Sequence, residues 1–157
     1  MTGVKLPRMS KDEINALINK QFLCRIAFKG GTYPYIAPFQ YSVIDGVIYF
    51  HFTEYGKKMN FFKQGTPVCI EIEEYTANLS EYRFVVLTGK LKQVDDAQER
   101  KKALEKLAEQ GKRKLSRNFL VAHGFSKDSD WSALLAEKPI LVVKLDEITG
   151  KMGLKSP

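Results

Sequence analysis

Histidine is almost missing from this 157-residue chain, which has only His51 and His123. Cysteine is equally scarce. Cys24 and Cys69 stand in separate strand-like stretches without CxxC spacing, so neither a metal knuckle nor a dithiol redox pair is available. Reduced, partly buried thiols are the reading they carry. Two lone histidines exclude a His-rich metal centre, and no Ser/His/Asp or Cys/His constellation offers an activated nucleophile. GxGxxG and GxxxxGK[ST] are both lacking, so Gly56-Lys57 is not a P-loop, and the βαβα alternation of a dinucleotide fold is not there. No apolar run approaches the ~20 residues that span a bilayer. The opening MTGVKLPRMSKDE has no apolar stretch of the signal-peptide kind. A soluble, cytoplasmic protein is expected.

Negative charge is the scarcer sign. Asp and Glu total 18 against 25 Lys and Arg, a net charge of +7. Such an excess fits a polyanion, a small phosphorylated ligand or plain solubility. Residues 99–117 hold eight basic and three acidic side chains. They read as the solvated face of a helix that turns Leu104, Leu107 and Ala108 inward. No zinc-finger spacing or RNA-binding signature accompanies them, and the basic residues are not interleaved with aromatics. Nucleic-acid binding is not expected.

What is present suits one domain over residues 1–157, with 44% hydrophobic and 27% charged residues. Ser10 and Glu13 form a capping box for a helix over SKDEINALINKQ, with Ile14, Leu17 and Ile18 on one stripe. CRIAF (24–28) then alternates, and YIAPFQYSV (35–43) is extended. Asp45-Gly46 signals a hairpin, with VIYFHFT (47–53) returning. PVCIEIEE (67–74) places Val68, Ile70 and Ile72 on one face. RFVVLTGKLKQV (83–94) is a long strand. A helix from Asp95 or Asp96 ends near Gly111, an irregular region contains Trp131, and PILVVKLDEI (139–148) is the last strand before a tail. The order predicts a mainly β protein, an antiparallel β-barrel with peripheral helices.

The strand end HFTEYGKK (51–58) is where chemistry is expected. Ile48, Phe50 and Phe52 share the core face; Val47, Tyr49, His51 and Thr53 share a mixed second face, suited to a ligand groove or subunit interface. Gly56 permits a sharp turn and close backbone approach. Lys57 to Phe62 then read as a short helix with Met59 and Phe62 toward the core. Cations oppose the dipole at a helix start, so Lys57 and Lys58 fit a phosphate placed there. Two exposed lysines tolerated at a cost of ~0.3–1 kcal/mol are the other reading. Upstream, Pro38 implies an edge or bulge, and Gln40 can both donate to and accept from a polar ring. Tyr35, Phe39 and Tyr41 add aromatic surface, which is also what ordinary packing uses.

Taken together, YPYIAPFQYSVIDGVIYFHFTEYGKK, TPVCIEIEE, YRFVVLTGKLKQVDD and the terminal ITGK resemble the pyridoxamine 5'-phosphate oxidase-related FMN-binding proteins. The likeness runs from MSKDEINALI to the end and is strongest to the small, nitroimidazole-resistance-like branch. It implies an FMN-binding split β-barrel, a homodimer with cofactor sites at the subunit interface. Pro38, Phe39, Gln40 and Tyr41 would then lie along the isoalloxazine, with His51, Phe52 and Thr53 bordering the ring and ribityl chain. Gly56, Lys57 and Lys58 would meet the phosphate. Tyr82 and Arg83 are further candidates, Arg83 for phosphate or an interface ion pair. His123 and Trp131 are read as structural, with a reach to the partner's flavin as the alternative. The resemblance departs at the C-terminus, where LDEITGKMGLKSP replaces an arginine- and tryptophan-containing substrate segment, which argues against vitamin B6 oxidation. An FMN-dependent oxidoreductase with His51 as candidate proton donor is the expected function. A non-catalytic flavin module, or the same barrel holding haem or a deazaflavin, is the alternative.

Overall fold

A computed structural model describes residue 3, residues 5–136 and residues 140–157. Pro139, read as the start of the last strand, lies outside the described residues. Helix α1 (Lys11–Lys20) starts on the expected capping box. Ser10 Oγ accepts from the Glu13 amide at 3.2 Å, and the Glu13 carboxylate accepts from the Ser10 amide at 2.7 Å. Strands β1 (Leu23–Phe28), β2 (Tyr35–Ile44) and β3 (Val47–Thr53) follow. Asp45 and Gly46, at φ 50° and 80°, make the type I′ turn that the Asp-Gly pair announces. Helix α2 (Lys57–Lys63), strands β4 (Val68–Tyr75) and β5 (Tyr82–Gln93), helices α3 (Ala97–Lys114) and α4 (Arg117–Ala122), a 3₁₀ helix (Trp131–Leu135) and strand β6 (Ile140–Lys155) complete the order.

The six strands close an antiparallel barrel in the order β1-β2-β3-β6-β5-β4. Strand β6 closes it, because its Ile140–Lys144 stretch pairs with β3 while its Val143–Lys155 stretch runs along β5. It continues well past Ile148, where alternation in the sequence fades. Gly153 explains the lost pattern. A Cβ there would lie 2.7 Å from Ile14 Cγ1 and 2.9 Å from Met9 Sδ, so glycine is what lets α1 and its leading segment press onto β6. A bulge between Thr88 and Lys90, opposite Glu147 at φ 44°, bends the pair.

Alternation sorts the strand residues into two separate cores. Inside the barrel lie Ile26, Phe28, Phe50, Phe52, Ile70, Ile72 and Leu87, with Leu17 of α1 among them. The second core lies outside the wall. There α3, α4 and the 3₁₀ helix cover Tyr49 and Val142 with Ala103, Leu104, Leu107, Leu120, Trp131 and Leu134. Leu104, Leu107 and Leu120 are fully buried, each contributing about 1.5–3 kcal/mol relative to exposure. Asp96 caps α3 by accepting from the Glu99 amide at 2.7 Å. The helix runs a turn past Gly111, its expected end, because Gly111 is packing against the Trp131 indole rather than terminating the helix. Glu99 ties this cap to the wall, accepting from the Tyr49 hydroxyl at 2.8 Å and from Lys144 at 2.7 Å. Burial pushes the Tyr49 hydroxyl up to about 12, with Glu99 adding to the shift.

The opposite outer wall is bare. Register aligns Ile36, Ala27, Cys69, Thr88 and Gly150 in one row across five strands, and Pro38, Arg25, Glu71, Val86 and Met152 in the next. Every one of these positions is exposed or half-buried. Among the described residues no helix is long and apolar enough to cross a membrane.

Candidate functional site

Strands β2 and β3 pair only between Tyr41–Ile44 and Val47–Phe50. Further along they part: Tyr35–Gln40 stays on β1, and His51–Thr53 stays on β6. The wall is split there, so Pro38 stands where a missing N–H costs no ladder bond toward β3. Helix α2 plugs the split from below. Phe61 stacks on Phe28 at 5.9 Å and on Tyr35 at 6.0 Å, Phe62 meets the Phe52 ring edge-on at 5.9 Å, and Met59 is buried.

The start of α2 carries the electrostatic feature of the site. Gly56 turns at φ 96°, and Lys58 reaches back over the turn to Thr53 Oγ1 and the Tyr55 carbonyl, both at 2.8 Å. Its ammonium lies 6.0 Å from the Phe52 ring centre and 5.6 Å from that of Tyr55. Burial depresses its pKa. The ion pairs of the described residues do not include Lys58. A desolvated cation held by neutral oxygens alone lacks a counter-charge. Lys57, beside it, is exposed.

The mixed face of β3 is not the open groove expected of it, because the cap covers Tyr49 and His51, leaving His51 5% exposed. Gln40 is sealed beneath α3 rather than facing a ligand. Its amide donates to the Leu107 carbonyl at 2.9 Å and to Gln110 Oε1 at 3.1 Å, and its own oxygen meets His51 Nε2 at 3.3 Å. Burial drives the His51 pKa down to about 3, with His123 and Lys58 adding to the fall. Phe39, Tyr41 and Phe52 point into the barrel, the Tyr41 hydroxyl donating to the Ile18 carbonyl at 2.7 Å. Arg83 lies at the other end of β5, paired with Glu74, which Lys20 also holds. Trp131 is buried in its own chain against α3.

Of the residues singled out in the sequence, the structure therefore groups Thr53, Gly56, Lys57 and Lys58 at the split, with Pro38 on its facing strand. Tyr55 and the contact of His123 with His51 escaped the sequence reading. Their rings lie 5.2 Å apart, with Phe119 a further 4.5 Å from His123. Only the helix-ending Gly124, at φ 82°, hinted that the chain turns there. A cavity of about 170 Å³ between Thr53, Tyr55, His123 and Phe125 adjoins the site. A larger one of about 470 Å³ lies on the bare wall between Ala27, Cys69 and Thr88. Chemically, the split offers an oxyanion a cation, a hydroxyl and a glycine turn.

The model of a family described as pyridoxamine 5'-phosphate oxidase matches residues 10–152. No curated protein matches the chain. Among solved structures, an FAD-binding protein of Mesorhizobium loti is similar with a TM-score of 0.71 at 17% identity, over 98% of this chain and 100% of that one. A proposed 5-nitroimidazole antibiotic resistance protein of Bacteroides thetaiotaomicron is similar at a TM-score of 0.67 and 18% identity, over 98% and 89% of the two chains. An FAD- and haem-binding protein of Mycobacterium smegmatis is similar at 0.64 and 14%, over 94% and 71%. At these identities the likeness is one of fold.

Proposed function

Because the chain belongs to the pyridoxamine 5'-phosphate oxidase family, we propose that it is a flavoprotein that holds FMN at the split between β2 and β3. The observation that carries this reading is Lys58, a half-buried cation with neutral partners only. A phosphate there supplies the missing charge and accepts from Lys58 and from backbone amides that Gly56 leaves accessible. Pro38 and Thr53 border the ring and ribityl chain. Phe39, Gln40, Tyr41, His51 and Phe52 support that surface from behind, and Lys57 contributes a second, solvated cation. Arg83 is left out of the phosphate site. The names of two similar structures include FAD, whose flavin mononucleotide half presents the same phosphate.

The flavin, when bound, supplies electron transfer to a small-molecule substrate; the protein's share is position, access and local charge. His51 is neutral and donates to Gln40, so it holds the wall and cap together rather than giving protons to a substrate. Residues 149–155 belong to β6, so the LDEITGKMGLK stretch is part of the barrel wall. Oxidoreductase activity is part of the proposal, and turnover with a reductant and a nitro or quinone acceptor separates it from a non-catalytic module.

A homodimer completes the reading. The face first expected at the interface is under the cap, so the bare five-stranded wall takes its place, with Ile36 and Met152 60% and 43% exposed. The free thiols of Cys24 and Cys69 suit a reducing, cytoplasmic setting.

Titrating FMN and riboflavin into apo-protein tests the site. Lys58→Met keeps the stem and removes a charge-assisted contact of about 1.5–3 kcal/mol, about a ten- to hundredfold loss for FMN. Riboflavin, lacking phosphate, and the Lys57→Met control should change little. Equal losses for both ligands, or none for either, refute the assignment.

A further inference from the structure

The two histidines of the chain meet across the seam between barrel and cap. Hydrogen bonds fix which nitrogen of each carries the proton. The Gln40 amide is spent on the Leu107 carbonyl and Gln110, so the Gln40 oxygen faces His51 and His51 Nε2 donates to it. His123 Nδ1 donates to the Phe119 carbonyl at 2.7 Å. Each ring thus makes one N–H bond, and among the described residues no hydrogen bond reaches Nδ1 of His51. Charging His51 adds a donor at that nitrogen.

Among the described residues, no carboxylate forms an ion pair with either ring. Strand β2 presents Gln40, α3 presents Gln110 and the Leu107 carbonyl, β6 places Val142 opposite His51, α2 contributes Lys58, and the end of α4 contributes His123. Among the described residues, the titratable groups acting on His51 are therefore both bases. Glu54 is the carboxylate of the cavity that His123 borders, and it makes no ion pair with either histidine. The separation of the two cores decides what gives way. His51 belongs to the outer face of β3, while its neighbours Phe50 and Phe52 belong to the barrel interior. Water can reach His51 by lifting Phe119, His123 and Trp131 away, with the barrel core untouched.

We propose that His51, packed against His123, is a proton-operated latch, which holds the segment from α4 to the 3₁₀ helix against β3 while its ring is neutral and releases it on acidification. The sign follows from linkage. Closed, His51 is held near 3; opened, it regains the ordinary imidazole value of about 6.5. The latch is at full strength above that ordinary value and weakens as pH falls below it. From pH 7.5 to 5.0 the opening equilibrium rises about thirty-fold through His51 alone. The same opening widens the 170 Å³ cavity beside Thr53, giving the proposed cofactor site a pH-dependent entrance.

Native-state hydrogen exchange of the purified protein, corrected for the intrinsic pH dependence of exchange, tests this. Protection across Arg117–Ala122 and Trp131–Leu135 should fall about thirty-fold between pH 7.5 and 5.0, with that of β4 and β5 unchanged. The fall should vanish in His51→Gln and persist in His123→Gln. Cap protection independent of pH, an equal fall in the barrel strands, or an undiminished fall in His51→Gln overturns the latch. Where His51→Gln does not fold, the wild-type contrast between cap and barrel decides alone. The readout is the cap's own amides, so failure of the latch leaves the cofactor assignment standing, and the reverse.

Discussion

Gly111→Ala puts a methyl group where the Trp131 indole already is. In an open helix the exchange stabilises by about 1 kcal/mol, since alanine is the better helix former. Here the added Cβ would lie within 2.5 Å of Trp131 Cζ3 and nearer still to Cε3 and Cδ2. Carbon atoms rest at about 3.5–4.0 Å, so the ring must retreat by more than about 1 Å. It has little room: Trp131 is 4% exposed and stacks on Phe119 at 6.3 Å and 19°. Overpacking of this kind costs about 1–3 kcal/mol, and a displacement this large belongs near the top of that range. Subtracting the helix gain leaves a net loss of about 1–2 kcal/mol. Urea titration followed by far-UV circular dichroism measures it. In a Trp131→Leu background the penalty should disappear and the helix gain return. A Gly111→Ala protein more stable than wild type by about 1 kcal/mol refutes the packing. It would also reopen the idea that Trp131 serves a neighbouring subunit's flavin.

Two further outcomes are expected. Reversing the charges of Lys101, Lys102 and Lys106, all on the outer face of α3, should leave FMN affinity within about twofold of wild type; a large loss would bring that helix into the cofactor site. Met152→Asp, placed amid the bare wall, should convert a two-chain particle to one chain in sedimentation while the circular dichroism spectrum is kept. A dimer that survives it locates the interface elsewhere.

Local signals were legible wherever one residue type has one physical use. The Ser10–Glu13 box, the Asp45-Gly46 turn, the Asp96 cap and the alternation of β1, β3 and β4 all carry their meaning in adjacent residues. The α3 stripe placed Leu104, Leu107 and Ala108 inward for the same reason. Glycine misled at Gly111, which looks like a stop, yet is small because the Trp131 ring presses on it, and that neighbour is invisible from the local sequence. The face of Val47, Tyr49, His51 and Thr53 was read as a ligand groove or subunit interface because half-polar strands suit either, and Gln40 on the neighbouring strand as a partner for a polar ring. Its actual occupant is the chain's own helix, some sixty residues further along, which satisfies Gln40 through a backbone carbonyl. At the split the sequence pointed to Lys57 and Lys58 together; only the fold distinguishes the desolvated lysine from the solvated one.

The placement of β6 has a bearing on biosynthesis. Until residues 140–155 have left the ribosome, the nascent chain carries two strands, β3 and β5, each with an unpaired edge. The cap precedes β6 in the chain and can settle on β3 first, yet its tie from Lys144 to Glu99 also waits for the last strand. Translation that halts before residue 140 therefore releases a sticky open sheet rather than a weakened barrel. Loss of residues 140–155 should send the product to chaperones and inclusion bodies, whatever its affinity for a cofactor.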